Sequence, residues 1–434
     1  MRTSGSVVAD VVGGRLVGPD VELDGLSIDS RSVRPGQLFV PVVAGRDGHD
    51  FIEAALAAGA AAYLTIRPPG EGTAVVVDDT AAALSRIGAW ARDRLPDRVV
   101  GVTGSVGKTS TKDLLAPVLA RRWPTASSHR SFNNEMGVPL TLGNAPEGTE
   151  AVVVEMGARG RGQVAALCAL ARPTVGIVTA VGACHTEQFG SIEAVAESKS
   201  ELVACLPASG TAVLNAADPR VAAMAERTAA RVLTFGAAAA DVRADDVRID
   251  DELRPAFRLQ SPWGHTEVGL AVRGEHQVSN ALAAAAAALA CGVTLDDVAA
   301  GLATATLSPW RMELARSRSG AIVLNDAYNA NPLSTASALR TLARLDARRR
   351  IAVLGVMAEL GSFAEAEHHR IGELARSLGI EVVGVATPDY GGDVVAGPEA
   401  ALERLGPLVA GDAVLVKGSR AAGLENLAAS LLTL

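Results

Sequence analysis

Short runs of β-branched residues recur along the chain, and each is followed by a longer stretch in which Ala and Leu return at helical spacing. A strand buried on both faces reads as a continuous apolar run, and a helix covering it keeps one apolar stripe. The pattern therefore predicts an α/β protein built on parallel sheets. A first stretch runs to about Pro96, closing with the strand-like Ala74-Val75-Val76-Val77 and a helix through Trp90 and Leu95. From Arg98 to about Thr306 come strands near Val99–Val102, Ala151–Val154 and Thr174–Thr179. The alternation restarts after Met312 with Ala321–Leu324, Ile351–Leu354 and Ala413–Val416. At 434 residues the chain is too long for one ordinary core, and we expect domains over residues 1–97, 98–308 and 309–434.

Composition narrows the classes. Hydrophobic residues make up 49% and charged residues 20%, enough to bury large cores. A net charge of −8 with 3% aromatics supplies neither a basic stripe nor a stacking platform, so nucleic acid is not an expected partner. Cys168, Cys184, Cys205 and Cys291 form no CxxC pair and read as small core residues rather than a disulfide or zinc framework. The alanine-rich stretch from Ala281 to Ala290 is flanked by polar residues and reads as a buried helix. No apolar run reaches the about 18 residues a membrane span needs. The expected location is the cytoplasm.

Ligands of open parallel sheets bind beyond the carboxyl ends of the strands. The run Val99 to Val102 passes into Thr103-Gly104-Ser105-Val106-Gly107-Lys108-Thr109-Ser110 and then a helical segment. Strand, glycine-rich loop and helix in succession make a phosphate cradle. The glycines let backbone N–H groups wrap phosphate oxygens, the helix N-terminus adds its positive end, Lys108 reaches the outer phosphates and Thr109 offers a hydroxyl to Mg²⁺. Val102 stands where the general motif has its first glycine. The next strand ends at Glu155, by spacing either a metal carboxylate or a helix cap. His185 is either a metal ligand or a structural imidazole, and Lys199, within the helical stretch Glu193 to Leu202, reads by type as a solvated lysine.

Taken together, these segments resemble the Mur ligase family over nearly the whole chain. The match is carried by Asp29-Ser30-Arg31, Pro35-Gly36-Gln37-Leu38-Phe39-Val40, Asp47-Gly48-His49-Asp50-Phe51, Thr103 to Thr109, Asn133-Asn134-Glu135-Met136-Gly137-Val138-Pro139 and Glu155-Met156-Gly157. It continues in His185, Lys199, Asn280-Ala281-Leu282, Arg311-Met312-Glu313, Asn325-Asp326-Ala327-Tyr328-Asn329-Ala330-Asn331-Pro332, Glu359-Leu360-Gly361 and Val416-Lys417-Gly418-Ser419-Arg420. The Asp326 to Pro332 and Asn133 to Pro139 elements are most like the branch that adds D-alanyl-D-alanine to UDP-N-acetylmuramoyl-tripeptide.

The resemblance implies a UDP-sugar-binding N-terminal domain, a central P-loop ATPase domain and a Rossmann-like C-terminal domain for the incoming dipeptide. It implies a reaction in which ATP converts the tripeptide carboxylate to an acyl phosphate that the dipeptide amine attacks. It gives Lys108 and Arg311 to the γ-phosphate, with the loop Gly104 to Ser110, Asn280, Asp326, Asn329 and Asn331 around the nucleotide. Thr109 and Glu155 are implied for one Mg²⁺, His185 and a carbamylated Lys199 for a second. Ser30, Arg31, Asp47, Gly48 and His49 are implied for the uridine diphosphate, Asn133 and Asn134 for the muramoyl peptide, and Lys417, Ser419 and Arg420 for the dipeptide carboxylate. A monomer is the implied state. The chain departs from the family at Gln277, Val356 and Trp310, which replaces a glycine before Arg311. A paralogue acting on another peptide and a nucleotide-driven switch are the rival readings.

Overall fold

The valine runs become strands buried along their length, Val99–Thr103, Ala151–Glu155 and Val175–Val178. A computed structural model describes residues 2–43, 45–184 and 186–433 of the protein. Its chain divides into two compact units, one holding the residues up to Gly101 with Trp123–Gly157 and Ala165–Thr174, the other Val102–Arg122, Ala158–Val164 and everything from Val175.

In the first unit, the mixed sheet runs in the order Arg15–Val17, Thr73–Val76, Ala62–Thr65, Leu38–Phe39 and Leu26–Ser27. Helix Thr80–Arg92 starts where Asp79 accepts the N–H groups of Ala81 and Ala82, satisfying donors the first turn leaves open. It ends three residues before the expected Leu95, where Arg92 turns inward to the Ala171 carbonyl at 2.6 Å. Helix Gly137–Gly143 packs closely against it: a Cβ at Gly88 would lie 2.7 Å from Pro139 Cα.

In the same unit Ala151–Glu155 pairs in parallel with Thr125–Ser127, and in the second unit Val175–Val178, Thr211–Asn215 and Arg231–Phe235 run parallel in that order. In the second unit, helix Lys108–Ala120 packs on Leu295–Thr304, close enough that a Cβ at Gly301 would lie 2.6 Å from Val118 Cα. The alanine-rich stretch is helix Gln277–Ala290, buried as expected, and no described helix is long and apolar enough to cross a membrane. The three-stranded antiparallel sheet of Arg243–Ile249, Pro255–Ser261 and Gly264–Gly269 departs from the parallel-sheet expectation. Its middle strand alternates Phe257 and Leu259 inward with Ala256 and Arg258 outward, the pattern of a sheet with one wet face. The cysteines correct another expectation: Cys168 and Cys184 are buried, but Cys205 is exposed and Cys291 only half-buried.

The last sheet has the order Glu313–Arg316, Ile322–Asn325, Asp412–Lys417, Arg349–Leu354, Glu381–Val385 and Asp393–Val395, all parallel but the first. Asp412–Lys417, last in the chain, lies between Ile322–Asn325 and Arg349–Leu354. The loops beginning at Asp326, Gly355 and Gly418 thus emerge side by side at the carboxyl ends of neighbouring strands, where doubly wound sheets bind ligands.

Candidate active site

The loop Gly104 to Gly107 needs its glycines. Gly107 has φ 83°, a left-handed torsion that L side chains avoid, and a Cβ there would lie 2.4 Å from Asn280 Oδ1. At Gly104 the Thr179 hydroxyl fills the Cβ position, and Thr179 donates to the Val106 carbonyl at 2.5 Å. Ser105 N–H donates to the Ala180 carbonyl at 2.8 Å, and Ser105 Oγ accepts the Gly182 N–H at 3.0 Å. The loop is thus fixed from below by the end of the neighbouring strand. Lys108 Nζ reaches back over it to the Gly104 carbonyl at 2.6 Å.

Asn280 stands against this loop, accepting from the Thr111 hydroxyl at 3.4 Å and donating to Gln277 at 2.8 Å. Arg311 also reaches it: the guanidinium donates to Thr109 Oγ1 at 2.9 Å and lies 4.4 Å above the Tyr328 ring. Trp310 and Met312, its neighbours, both have left-handed torsions, φ 62° and 51°. This bend is gripped from both sides. One turn along the helix from Thr109, Asp113 accepts the Ser308 N–H at 2.7 Å, while Asp326 accepts the Met312 N–H at 3.2 Å.

Lys199 corrects the reading from residue type. It is 2% exposed on the inner face of helix Ile192–Ala204, with Nζ 3.4 Å from the Ala158 carbonyl and 5.7 Å from the centre of the Phe189 ring. Burial, reinforced by the positive charge of Lys108, lowers its pKa from 10.5 to about 7. Burial raises the Cys184 thiol, against the pull of the same two lysines. His185 lies outside the described residues.

At the ends of the C-terminal strands, Lys417 is 2% exposed and donates to Asp326 Oδ2 at 2.5 Å and to the Asn329 carbonyl at 2.9 Å. Asp326 and Lys417, expected on different substrates, are thus joined to each other. Ser419 Oγ accepts the Ala358 N–H at 2.9 Å, and Asn331 caps helix Pro332–Ala343 through the Ser334 N–H. Asn329 Oδ1 accepts the Ala330 N–H. Arg420 is half-exposed, 4.4 Å from the Trp310 ring and 3.0 Å from Glu425.

In the first unit, Asn133 Nδ2 donates to Glu155 Oε1 at 2.7 Å. Glu155 is 1% exposed, and its other oxygen is buried without a hydrogen-bond partner. A carboxylate oxygen withheld from water and from donors suits a cation, so Glu155 fits the metal role the sequence left open. Asn134 caps the turn at Met136 and Gly137. Arg31 is exposed and forked onto Asp29, and Ser30 adjoins this pair. Asp47 binds the His49 N–H at 2.9 Å and its ring Nδ1 at 2.6 Å, while His49 Nε2 accepts the Ile66 N–H. The backbone N–H of His49, then its ring, hold the Asp47 carboxyl down to about 2. Nδ1 of His49 thus holds the Asp47 to Phe51 turn together, while Nε2 ties that turn to Ile66.

A phosphate loop flanked by an arginine and an asparagine, with a buried lysine on a nearby helix, defines a nucleotide-dependent enzyme built on a P-loop sheet. The Mur ligase middle domain matches residues 102–288 and the Mur ligase glutamate ligase domain residues 310–420. The chain belongs to the Mur ligase family. Among its relatives, the UDP-N-acetylmuramoyl-tripeptide--D-alanyl-D-alanine ligase of Mycobacterium tuberculosis (strain ATCC 25618 / H37Rv) is 42% identical, covering 94% of this chain and 91% of its own. That of Escherichia coli (strain K12) is 36% identical over 98% of this chain and 97% of its own. A crystal structure of MurF from Acinetobacter baumannii superposes with a TM-score of 0.89 at 29% identity, covering 100% and 99% of the two chains. The MurF ligase from Thermotoga maritima in complex with ADP gives 0.81 at 28% identity over 94% and 96%.

Sequence reasoning missed Thr179, Asp113 and His368. Thr179 and Asp113 carry no motif of their own. His368 is buried and accepts the Met357 N–H at 2.9 Å from 11 residues away, a contact only the folded chain reveals.

Proposed function

We propose that this chain is an ATP-dependent ligase joining D-alanyl-D-alanine to the terminal carboxylate of UDP-N-acetylmuramoyl-tripeptide, through an acyl phosphate. The observation that carries the reading is the fixed phosphate loop with Arg311 on Thr109, in a chain 42% identical to ligases of that name. A carboxylate is a poor electrophile, so amide formation in water needs the carboxylate oxygen phosphorylated first. Such transfer is catalysed by positioning and charge neutralisation, work that falls to Lys108 and Arg311.

The nucleotide lies against Gly104 to Ser110 and Asn280, with Asp326, Asn329 and Asn331 on its ribose and phosphate side. Mg²⁺ bound at these residues supplies charge neutralisation for the two anionic reactants. Thr109 and Glu155 would hold one ion, His185 and a carbamylated Lys199 a second. The low pKa of the Lys199 amine supports that modification, since only the uncharged amine adds CO₂, and the product is an anionic oxygen donor where a cation would repel metal. Ser30, Arg31 and the Asp47 to His49 turn face the uridine diphosphate, Asn133 and Asn134 the muramoyl peptide, and Ser419 and Arg420 the dipeptide carboxylate, with Lys417 acting through Asp326. Domains over residues 1–97, 98–308 and 309–434 bind the UDP-sugar, ATP and dipeptide, in a cytoplasmic monomer.

The test is ADP release with purified chain, ATP, Mg²⁺, UDP-N-acetylmuramoyl-tripeptide and D-alanyl-D-alanine. Release that needs both substrates and yields the pentapeptide supports the reading. Equal hydrolysis without them points to a nucleotide switch, and preference for another acceptor points to a paralogue.

A further inference from the structure

Glu359-Leu360-Gly361 is a segment of the sequence match to which no role has been attached. It lies in the loop leaving strand Arg349–Leu354, beside the loops that begin at Asp326 and Gly418. Glu359 has φ 63°, a left-handed torsion that is strained for a residue with a long side chain. The strain persists because the loop is pinned on each side. The N–H of Met357 is held by His368 Nε2 at 2.9 Å and that of Ala358 by Ser419 Oγ at 2.9 Å. Beyond it, the Leu360 carbonyl accepts the Thr186 hydroxyl at 2.9 Å and the Glu359 carbonyl the Glu187 N–H at 3.3 Å. Gly361 follows with φ 57°, and a Cβ there would lie 3.1 Å from Glu187 Cα.

This pinning places the carboxylate in a particular company. Arg159 Nη2 lies 3.4 Å from Glu359 Oε1, and the residue before Arg159 offers its carbonyl to Lys199 Nζ. The Glu359 side chain is 30% exposed, so it is open to a ligand while fixed by its backbone. On the other side, Ala358 is joined to Ser419, and Ser419 precedes the half-exposed Arg420.

A dipeptide acceptor is a zwitterion at neutral pH. It needs an anion for its ammonium and a cation for its carboxylate, spaced by one short peptide. Resting on the ligase reading, we propose that Glu359 binds and orients the ammonium group of the incoming dipeptide, with Arg420 on the adjoining loop facing its carboxylate. The exposed Arg159 guanidinium occupies Glu359 until the ammonium replaces it. The nitrogen is then held at the corner that contains Lys199, where the activated carboxylate is expected, and it passes a proton to solvent before it attacks.

The experiment separates the acceptor step from activation. Hydroxylamine is an uncharged nucleophile at neutral pH and intercepts an acyl phosphate as a hydroxamate without needing an anionic anchor. Glu359→Gln is expected to raise KM for D-alanyl-D-alanine about 30-fold, leaving ATP affinity and hydroxamate formation at wild-type levels. Glu359→Asp should recover part of the loss, and Arg159→Ala should lower KM for the dipeptide. A wild-type dipeptide KM in Glu359→Gln overturns the proposal, as does parallel loss of hydroxamate and dipeptide product, which marks a role in loop structure alone. Absence of hydroxamate in the wild-type protein overturns the ligase reading and this inference with it.

Discussion

Replacing Lys199 by Met keeps the length and removes the amine, and its consequences follow from burial. An ordinary lysine, with pKa 10.5, is uncharged in about one molecule in a thousand at about pH 7.5. With a pKa of about 7, roughly three quarters of the Lys199 amine is uncharged under the same conditions. Carbamate formation joins the neutral nitrogen to CO₂ and releases a proton, so Lys199 should react several hundred times more readily than a surface lysine. The assay is ¹³C NMR of metal-free protein at fixed dissolved ¹³CO₂ across a pH series. Besides the α-amino carbamate common to both proteins, the wild-type protein should show a carbamate signal that grows as pH rises through about 7, and Lys199→Met should lack that signal. The sign in unmodified protein follows from proton counting. Between about 7 and 10.5 the unfolded chain holds a proton that the folded chain lacks, so stability rises with pH across that window by up to about 5 kcal/mol. In CO₂-free buffer the wild-type midpoint of denaturation should climb over that range relative to that of Lys199→Met. The absence of any carbamate signal beyond those the two proteins share, or an extra one that appears only near the ordinary lysine pKa, would refute the argument.

Other substitutions probe the remaining parts. Gly107→Ala forces a side chain into a left-handed position 2.4 Å from Asn280 Oδ1 and should weaken ATP binding at least about 100-fold by calorimetry, with circular dichroism unchanged. Asn133→Ala leaves Glu155 Oε1 without its 2.7 Å donor, and the half-saturating concentration of Mn²⁺, followed by electron paramagnetic resonance, should rise about 10–100-fold. Lys417→Met strands Asp326 beside a buried methyl group and should cost about 3–5 kcal/mol in denaturant titration, whereas pairing it with Asp326→Leu should restore much of that loss.

The phosphate loop was legible because its chemistry makes local demands. Gly107 must take φ 83°, Lys108 must follow, and the strand before them must be apolar, so consecutive letters carry the whole instruction. The parallel strands were legible for the same reason. Lys199 was not, because a lysine between Ser198 and Ser200 on a helix is solvated or buried according to what packs on that helix. Lys417 and Asp326 stand 91 residues apart and meet only because Asp412–Lys417 inserts beside Ile322–Asn325. The antiparallel sheet was readable in the alternation of Phe257 and Leu259 with Ala256 and Arg258, but that signal competes with the charges around it. His49 was conspicuous as a polar letter, but its burial at 4% exposure, with ring bonds to Asp47 and to the Ile66 N–H, was not legible there.

Helix Lys108–Ala120 begins at the phosphate loop, and at Thr109 and Asp113 it also grips the bend around Arg311. That bend is where the chain passes from the region matching the middle domain to the region matching the glutamate ligase domain. The start of the C-terminal region is therefore fastened to the first turns of the helix that the phosphate loop opens. Arg311 and the loops of the last sheet are therefore expected to move together, so that a shift of this bend changes both the charge beside Thr109 and the position of Arg420. The posture of the C-terminal portion, read by scattering or by a fluorescent pair, should then track nucleotide occupancy, and posture indifferent to ATP would dissolve the linkage.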